Sequence, residues 1–221
     1  MSFDALAPHY RWMELVLAGN RLQRCRTAFL GRVDHCRNVL IAGEGNGRFL
    51  LECRGALRQA RIMCVDASGR MLGLARERLQ RGGFSAQDVE FVRADLLAWT
   101  PPPHAFDLVV THFFLDCFRP EQLEQVVGAL AGAAMAGATW LLADFQVPRA
   151  GLRRWRAEMI HWMMYTFFRC LTRLPARQLT VPDGFLRANG FSLRERRVSE
   201  WGLLHTDHWE RPANQGRAGF A

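Results

Sequence analysis

The chain has 221 residues, 49% of them hydrophobic and 23% charged. That is enough for one domain with a full core and too apolar for a disordered chain. The net charge of +8 invites an anionic partner, but all 29 basic residues are Arg, scattered rather than gathered in one run. They read as codon bias acting on a solvated surface, so no nucleic-acid partner is expected.

The first residues, MSFDALAPHYRWMELV, carry Asp4 and Glu14 and lack a basic start followed by an apolar block. No secretory leader is expected, and the chain is read as cytoplasmic. Residues 10–30, YRWMELVLAGNRLQRCRTAFL, read as a helical cap. NVLIAG is a buried strand running into a glycine turn, and RFLLECRGALRQ is a helix. ARIMCVD is a second strand, and SGRMLGLARERLQRG a helix with Met71, Leu72, Ala75 and Leu79 near one face. VEFVRAD is a third strand. TPPPHA makes a turn before FDLVVTHF, the fourth strand. Residues 121–136 place Leu123, Val126, Val127 and Leu130 on one helical stripe, and ATWLLADF is the fifth strand. Strands separated by single helices predict a doubly wound, mostly parallel α/β sheet with ligands at the carboxyl ends of its strands. Those ends are Gly43–Gly47, Asp66, Asp95, Thr111–Phe113 and Asp144–Phe145.

After Pro148 the pattern changes. GLRRWRAEMIHWMMYTFFRCLTRL is a helical stretch whose middle is apolar on nearly all faces, so something must cover it on several sides. PDGFLRANGF reads as a short helix, SLRERRVSE and WGLLHTDHWER as two closing strands, and PANQGRAGFA as a loose tail. The six cysteines contain no CxxC pair and no zinc spacing, and read as small buried residues with reduced thiols.

In VLIAGEGNGRFL, the glycines Gly43, Gly45 and Gly47 follow a strand and open a helix. Glycine there lets a ligand approach bare amides at a helix start. A dinucleotide fingerprint wants a third glycine at position 48, which is Arg48. Asp66, ending the next strand, is placed to hold a ribose diol. A nucleoside is implied; a pyrophosphate is not.

In order and spacing, VLIAGEGNG, CVDASGRML, VRADL and FDLVVTHFFLD resemble the motifs of class I S-adenosylmethionine-dependent methyltransferases. The resemblance covers roughly residues 36–147, is similar in outline over the last two strands, and looks closest to the ubiquinone/menaquinone-type and other small-molecule enzymes. It implies a seven-stranded Rossmann-like sheet within one domain. Residues 1–35 would be a helical cap, 36–147 the cofactor core, 148–178 a helical lid, 179–211 closing elements and 212–221 a tail. It implies S-adenosylmethionine as cofactor, with S-adenosylhomocysteine as product. Gly43, Gly45 and Gly47, with Asn46 between them, would pass beside its methionyl part and ribose. Asp66 would bind the ribose hydroxyls, and Met71 or Ala67 would flank the adenine. Ala94, Asp95 and Leu96 would meet the adenine amino edge, and Thr111 and His112 would lie under the methionine. The family acid before the first glycine is Ile41 here. Glu44 either takes over its contact with the cofactor ammonium or simply favours the helix dipole.

Methyl transfer needs alignment more than a base, so no base motif is required. The candidate catalytic residues are His112, His161 and Tyr10, with packing or cofactor contact as the competing role for His112. Asp116 and Asp144 read as capping and turn residues. His205 and Asp207 share a strand face opposite His208, but no third ligand makes a metal site. Trp155, Met159, Trp162, Met163, Tyr165, Phe167 and Phe168 exceed one packing seam. A lid over an apolar or aromatic small molecule, peripheral docking on a membrane and a homodimer interface each explain them. The preferred reading is O- or C-methylation of such a metabolite. The alternatives are N-methylation of a phospholipid or amine at a membrane surface, and a non-catalytic cofactor-binding partner protein.

Overall fold

The computed structural model describes residues 20–146 and 180–213. Their strands are β1 (Asn38–Ala42), β2 (Arg61–Asp66), β3 (Val89–Arg93), β4 (Phe106–His112), β5 (Ala134–Phe145), β6 (Ser192–Ser199) and β7 (Leu204–Glu210). They form a sheet in the order β3-β2-β1-β4-β5-β7-β6. The first five pair in parallel, and β7 runs antiparallel to both β5 and β6. The helices are α1 (Asn20–Thr27), α2 (Arg48–Ala56), α3 (Gly69–Arg81), α4 (Pro120–Ala133) and α5 (Asp183–Ala188).

Strand alternation divides the core into two layers. Val39, Ile41, Leu108 and Val110 pack under Phe49, Leu50, Leu72, Ala75 and Leu79 of α2 and α3. Leu40, Ala42, Val109, Trp140 and Leu142 pack on Leu123, Val126, Val127 and Leu130 of α4 and Leu186 of α5. Helix α3 starts where the Ser68 hydroxyl accepts from Met71 N, and it buries the stripe expected from its spacing. Asp107 pins the amino end of β1: its two carboxylate oxygens accept from Arg37 N at 2.8 Å and Asn38 N at 2.9 Å.

Three boundaries differ from the sequence reading. Helix α4 ends at Ala133, and β5 begins at Ala134 rather than near Ala138. The alanine-rich AMAGA would favour helix alone, but Ala134 pairs with Phe106 and the Ala138 carbonyl accepts from Arg211 N, so tertiary pairing overrides propensity. Helix α2 stops at Ala56, short of the expected Gln59. Glu200 and Trp201, read as parts of strands, instead form the tight β6–β7 turn with φ of 52° and 63°. An ion pair of 2.6 Å from Arg21 to Glu200 ties that turn to α1.

Among the described residues no helix is long and apolar enough to cross a membrane. The cysteines described, Cys25, Cys36, Cys53, Cys64 and Cys117, are free. Burial pushes the Cys36 and Cys53 thiols up to about 12, which keeps them protonated.

Candidate functional site

Parallel registry brings the expected residues to one end of the sheet. Gly43–Gly47 leave β1, Asp66 ends β2, Ala94–Leu96 follow β3, and Thr111 and His112 close β4. Asp144 lies at the matching end of β5. Tyr10, His161 and the apolar residues 155–168 lie outside the described residues.

The three glycines answer to three different demands. At Gly43 a Cβ would collide with the Phe114 ring. At Gly47, with φ of 81°, a Cβ would sit 2.6 Å from Ala75 Cα, so this residue sets how closely α2 packs on α3. Gly45, with φ of 68°, has nothing within 4 Å of that position and leaves its face open. Asn46 between them is buried.

Asp66 organises this turn. One carboxylate oxygen accepts from Gly45 N at 3.0 Å and the other from Ser68 N at 2.8 Å. Met71 is buried at the start of α3 beside half-buried Ala67. Ala94 N donates to the Asp66 carbonyl at 3.1 Å. The Asp95 carboxylate accepts from Leu97 N at 3.0 Å, so it shapes its own turn, and Leu96 is buried. The Thr111 hydroxyl accepts from the Trp140 indole at 2.8 Å on the α4 side of the sheet.

Glu44 caps α2. Its Oε1 accepts from Phe49 N at 2.8 Å and Leu50 N at 3.0 Å, the free donors of the first turn. Burial, set against those two bonds and the Arg26 charge, raises its pKa from 4.5 to about 7. Ile41 is 1% exposed in the core, where an ionised side chain would be costly.

A raised pKa means that the folded chain binds protons more tightly than the unfolded one. The ligand-free protein is therefore expected to gain stability as pH falls from about 7 towards 4.5 and to lose it as pH rises through that window. Thermal unfolding of wild type and Glu44→Gln checks this. The amide retains an acceptor for the helix amides, so its profile should be flatter across the window. Parallel profiles would contradict the assignment.

His112 is buried, with its ring edge on Phe49 at a centroid distance of 4.5 Å. Burial, then the Arg26 charge, holds its pKa well below the usual 6.5, so the ring is neutral. Neither ring nitrogen has a hydrogen-bond partner, nor does Gln23 Oε1. Such orphaned atoms each cost about 1–3 kcal/mol, which is tolerable where a ligand supplies the missing partner. Arg26 is 5% exposed, with its guanidinium 5.1 Å from the Phe113 ring centre. Gln23 and Arg26 of α1 were not expected near this end of the sheet, where Gln23 Nε2 donates to the Arg48 carbonyl at 3.0 Å. Their pattern within a helical cap carries no motif that marks them.

On the other face of the sheet, Asp116 N donates to Asp144 Oδ2 at 3.2 Å. Burial raises both acids, Asp116 to about 6 and Asp144, which also feels Asp116, well above the usual range. His205 pairs across the strands with Asp144, and its Nδ1 lies 3.1 Å from Asp207. Asp207 also accepts from Arg196 and Trp209, so its charge is satisfied and its pKa stays low despite burial. Phe113 packs on Phe145 at 5.2 Å and Phe114 on Phe118 at 5.0 Å, giving the strand ends an aromatic lining. A groove of about 650 Å³ opens at the opposite end of the sheet, between Arg54, Arg58, Arg61 and Glu90, and is lined by none of the candidate cofactor-binding residues.

Residues 39–136 match the family description "Methyltransferase domain". The demethylmenaquinone methyltransferase of Thermus thermophilus is 27% identical over 151 residues, which are 67% of this chain and 66% of that protein. The release factor glutamine methyltransferase of Deinococcus radiodurans is 39% identical over 83 residues, 38% of this chain and 28% of that protein. The chain thus spans less than two thirds of the length of these curated relatives. Among solved structures, the N-methyltransferase NodS from Bradyrhizobium japonicum, in complex with S-adenosylhomocysteine, superposes with a TM-score of 0.65. It is 17% identical, and the match covers 95% of this chain and 99% of that one.

Proposed function

We propose that the chain carries a class I S-adenosylmethionine-dependent methyltransferase domain, a reading that the match of residues 39–136 supports, and that it methylates a small, largely apolar or aromatic molecule at oxygen or carbon. The observation that carries this is the strand-end turn itself: the open face of Gly45, whose amide is held by Asp66, with unpartnered His112 at the end of the adjacent strand β4.

The residues present fit this cofactor. Asp66 takes the ribose hydroxyls, Ala67 and Met71 flank the base, and Ala94–Leu96 meet its edge. Gly43, Gly45 and Gly47 pass the main chain beside the ribose and methionyl part, with Asn46 in the same turn, while Thr111 and His112 underlie the methionine. When bound, the sulfonium supplies an activated methyl group. The chain's own contribution is alignment, worth roughly 7–11 kcal/mol where it is complete. His112, held neutral in a buried slot beside a cation, suits a hydrogen-bonding contact better than it suits storing a proton. Tyr10 and His161 remain proposed contacts from the cap and from a lid at residues 148–178, on the division given above.

The aromatic lining at the ends of β4 and β5 supports an apolar acceptor, as does the name of the Thermus relative. N-methylation of an amine is the second reading. The buried acids Asp116 and Asp144 favour it because a cationic acceptor would relieve their burial. Calorimetry with S-adenosylhomocysteine, then mass detection of methyl transfer to demethylmenaquinol, catechols and aliphatic amines, tests the assignment. A methylated quinol or phenol is the expected product, and a methylated amine favours the second reading. Tight cofactor binding with no product from any acceptor would indicate a non-catalytic partner protein.

A further inference from the structure

We infer that the groove at the amino end of the sheet is a second ligand site, for a small organic anion. Arg54, Arg58 and Arg61 grip its phosphate or carboxylate head, and its apolar body lies along Met63, Pro102 and Phe106. This goes beyond the methyl-transfer reading and does not depend on it, because the groove shares no residue with the proposed cofactor site.

The groove exists because one crossover lacks its helix. The other parallel crossovers carry α2, α3 and α4, but residues 94–105 join β3 to β4 without a helix, and Pro101, Pro102 and Pro103 would break one. The amino ends of four neighbouring strands stay open as a result. Glu90 of β3, Arg61 and Met63 of β2, Asn38 of β1 and Phe106 of β4 all line the groove. With about 4.8 Å between strands, the three gaps give a length of roughly 14 Å. The volume of about 650 Å³ falls within the range of small-molecule sites.

Charge is divided across it. Arg54, Arg58 and Arg61 come from α2 and the connection into β2, whereas Asp88 and Glu90 come from the entry to β3. Among the described residues none of these three arginines has a carboxylate partner. Arg54 is the anchor. It is 5% exposed, and its one hydrogen bond among the described residues runs from Nη1 to the Ala60 carbonyl at 2.8 Å. A guanidinium carries a full charge and several N–H donors, so burial against a single carbonyl leaves most of that unmatched. A phosphate or carboxylate supplies both the opposite charge and paired acceptors. Arg58 and Arg61, both exposed, add charge on the same side. Asp88 and Glu90 repel the head from the β3 end, which sets its orientation and leaves the body over Met63 and Phe106. A neutral apolar molecule would leave Arg54 unmatched, and a cation would meet three arginines.

Calorimetry on the full chain with naphthyl phosphate, naphthylacetate, naphthol and inorganic phosphate tests the site. At least one naphthyl anion should bind about tenfold or more tightly than naphthol, which lacks the charged head, and than inorganic phosphate, which lacks the body. The tighter of the two anions names the head group. Arg58→Glu and Arg61→Glu change exposed residues and spare the core. Each should weaken that anion about tenfold or more. Arg194→Glu makes the same charge change on β6, at the far edge of the sheet and beyond a Debye length, and should alter binding less than about twofold. In backbone amide spectra the bound anion should shift Arg61, Glu90 and Phe106 and leave Gly45 and Asp66 in place, with or without saturating S-adenosylhomocysteine. Shifts centred on Gly45 and Asp66 instead would overturn the inference. So would naphthol or inorganic phosphate binding as tightly as the naphthyl anions, an equal loss in Arg194→Glu, or no binding of either anion.

Discussion

Gly47→Ala should destabilise the protein by about 2–5 kcal/mol, a large share of a typical total of about 5–15. Two costs add. The residue has φ of 81°, a left-handed conformation that costs a Cβ about 1–2 kcal/mol. Its new methyl would also lie 2.6 Å from Ala75 Cα and 2.9 Å from Ala75 Cβ. Those atoms belong to the middle of α3, so relief requires moving one helix against another, at about 1–3 kcal/mol. At about 2–4 °C per kcal/mol for a chain of this size, the melting temperature should fall by roughly 4–20 °C. Gly45→Ala is the informative control. It shares the positive φ but meets nothing within 4 Å, so it should fold with only the conformational cost while narrowing the open face of the turn. A Gly47→Ala protein as stable as Gly45→Ala would refute the close-packing account.

Asp66→Ala should weaken S-adenosylhomocysteine binding by about 100-fold or more. Two hydrogen bonds to a charged acceptor are lost, each worth about 1.5–3 kcal/mol, and each 1.4 kcal/mol is a factor of ten. The same substitution releases Gly45 N and Ser68 N, so the turn loses its shape as well as its ribose acceptor. Asp66→Asn should fall between, because its one carbonyl oxygen cannot replace two carboxylate oxygens. Calorimetry on the three proteins orders them. An Asp66→Ala protein with undiminished affinity would place the nucleoside elsewhere.

The parallel core was legible because its strands are continuous apolar runs and its helices carry clean stripes, as with Met71, Leu72, Ala75 and Leu79 on α3. The site was legible for a related reason: parallel strands deliver Gly43–Gly47, Asp66 and His112 to one edge whatever the details of packing. What escaped was set by contacts between distant segments. Ala134 is a strand residue because Phe106 lies beside it, and Trp201 turns because β6 and β7 close around it. Gly47 is a packing glycine because of Ala75, far along the chain in α3. Gln23 and Arg26 look like ordinary polar positions of a cap helix, and only the fold lays them against His112 and the first turn of α2. Glu44 admitted two roles in the sequence. The structure shows helix capping through Oε1.

A crystal structure of the full chain grown with saturating S-adenosylhomocysteine tests the central claim most directly. The account predicts a ribose with both hydroxyls on Asp66, the thioether beside Gly45 and the amino-acid end reaching His112. A nucleoside bound anywhere else, or an empty turn at full saturation, would contradict it.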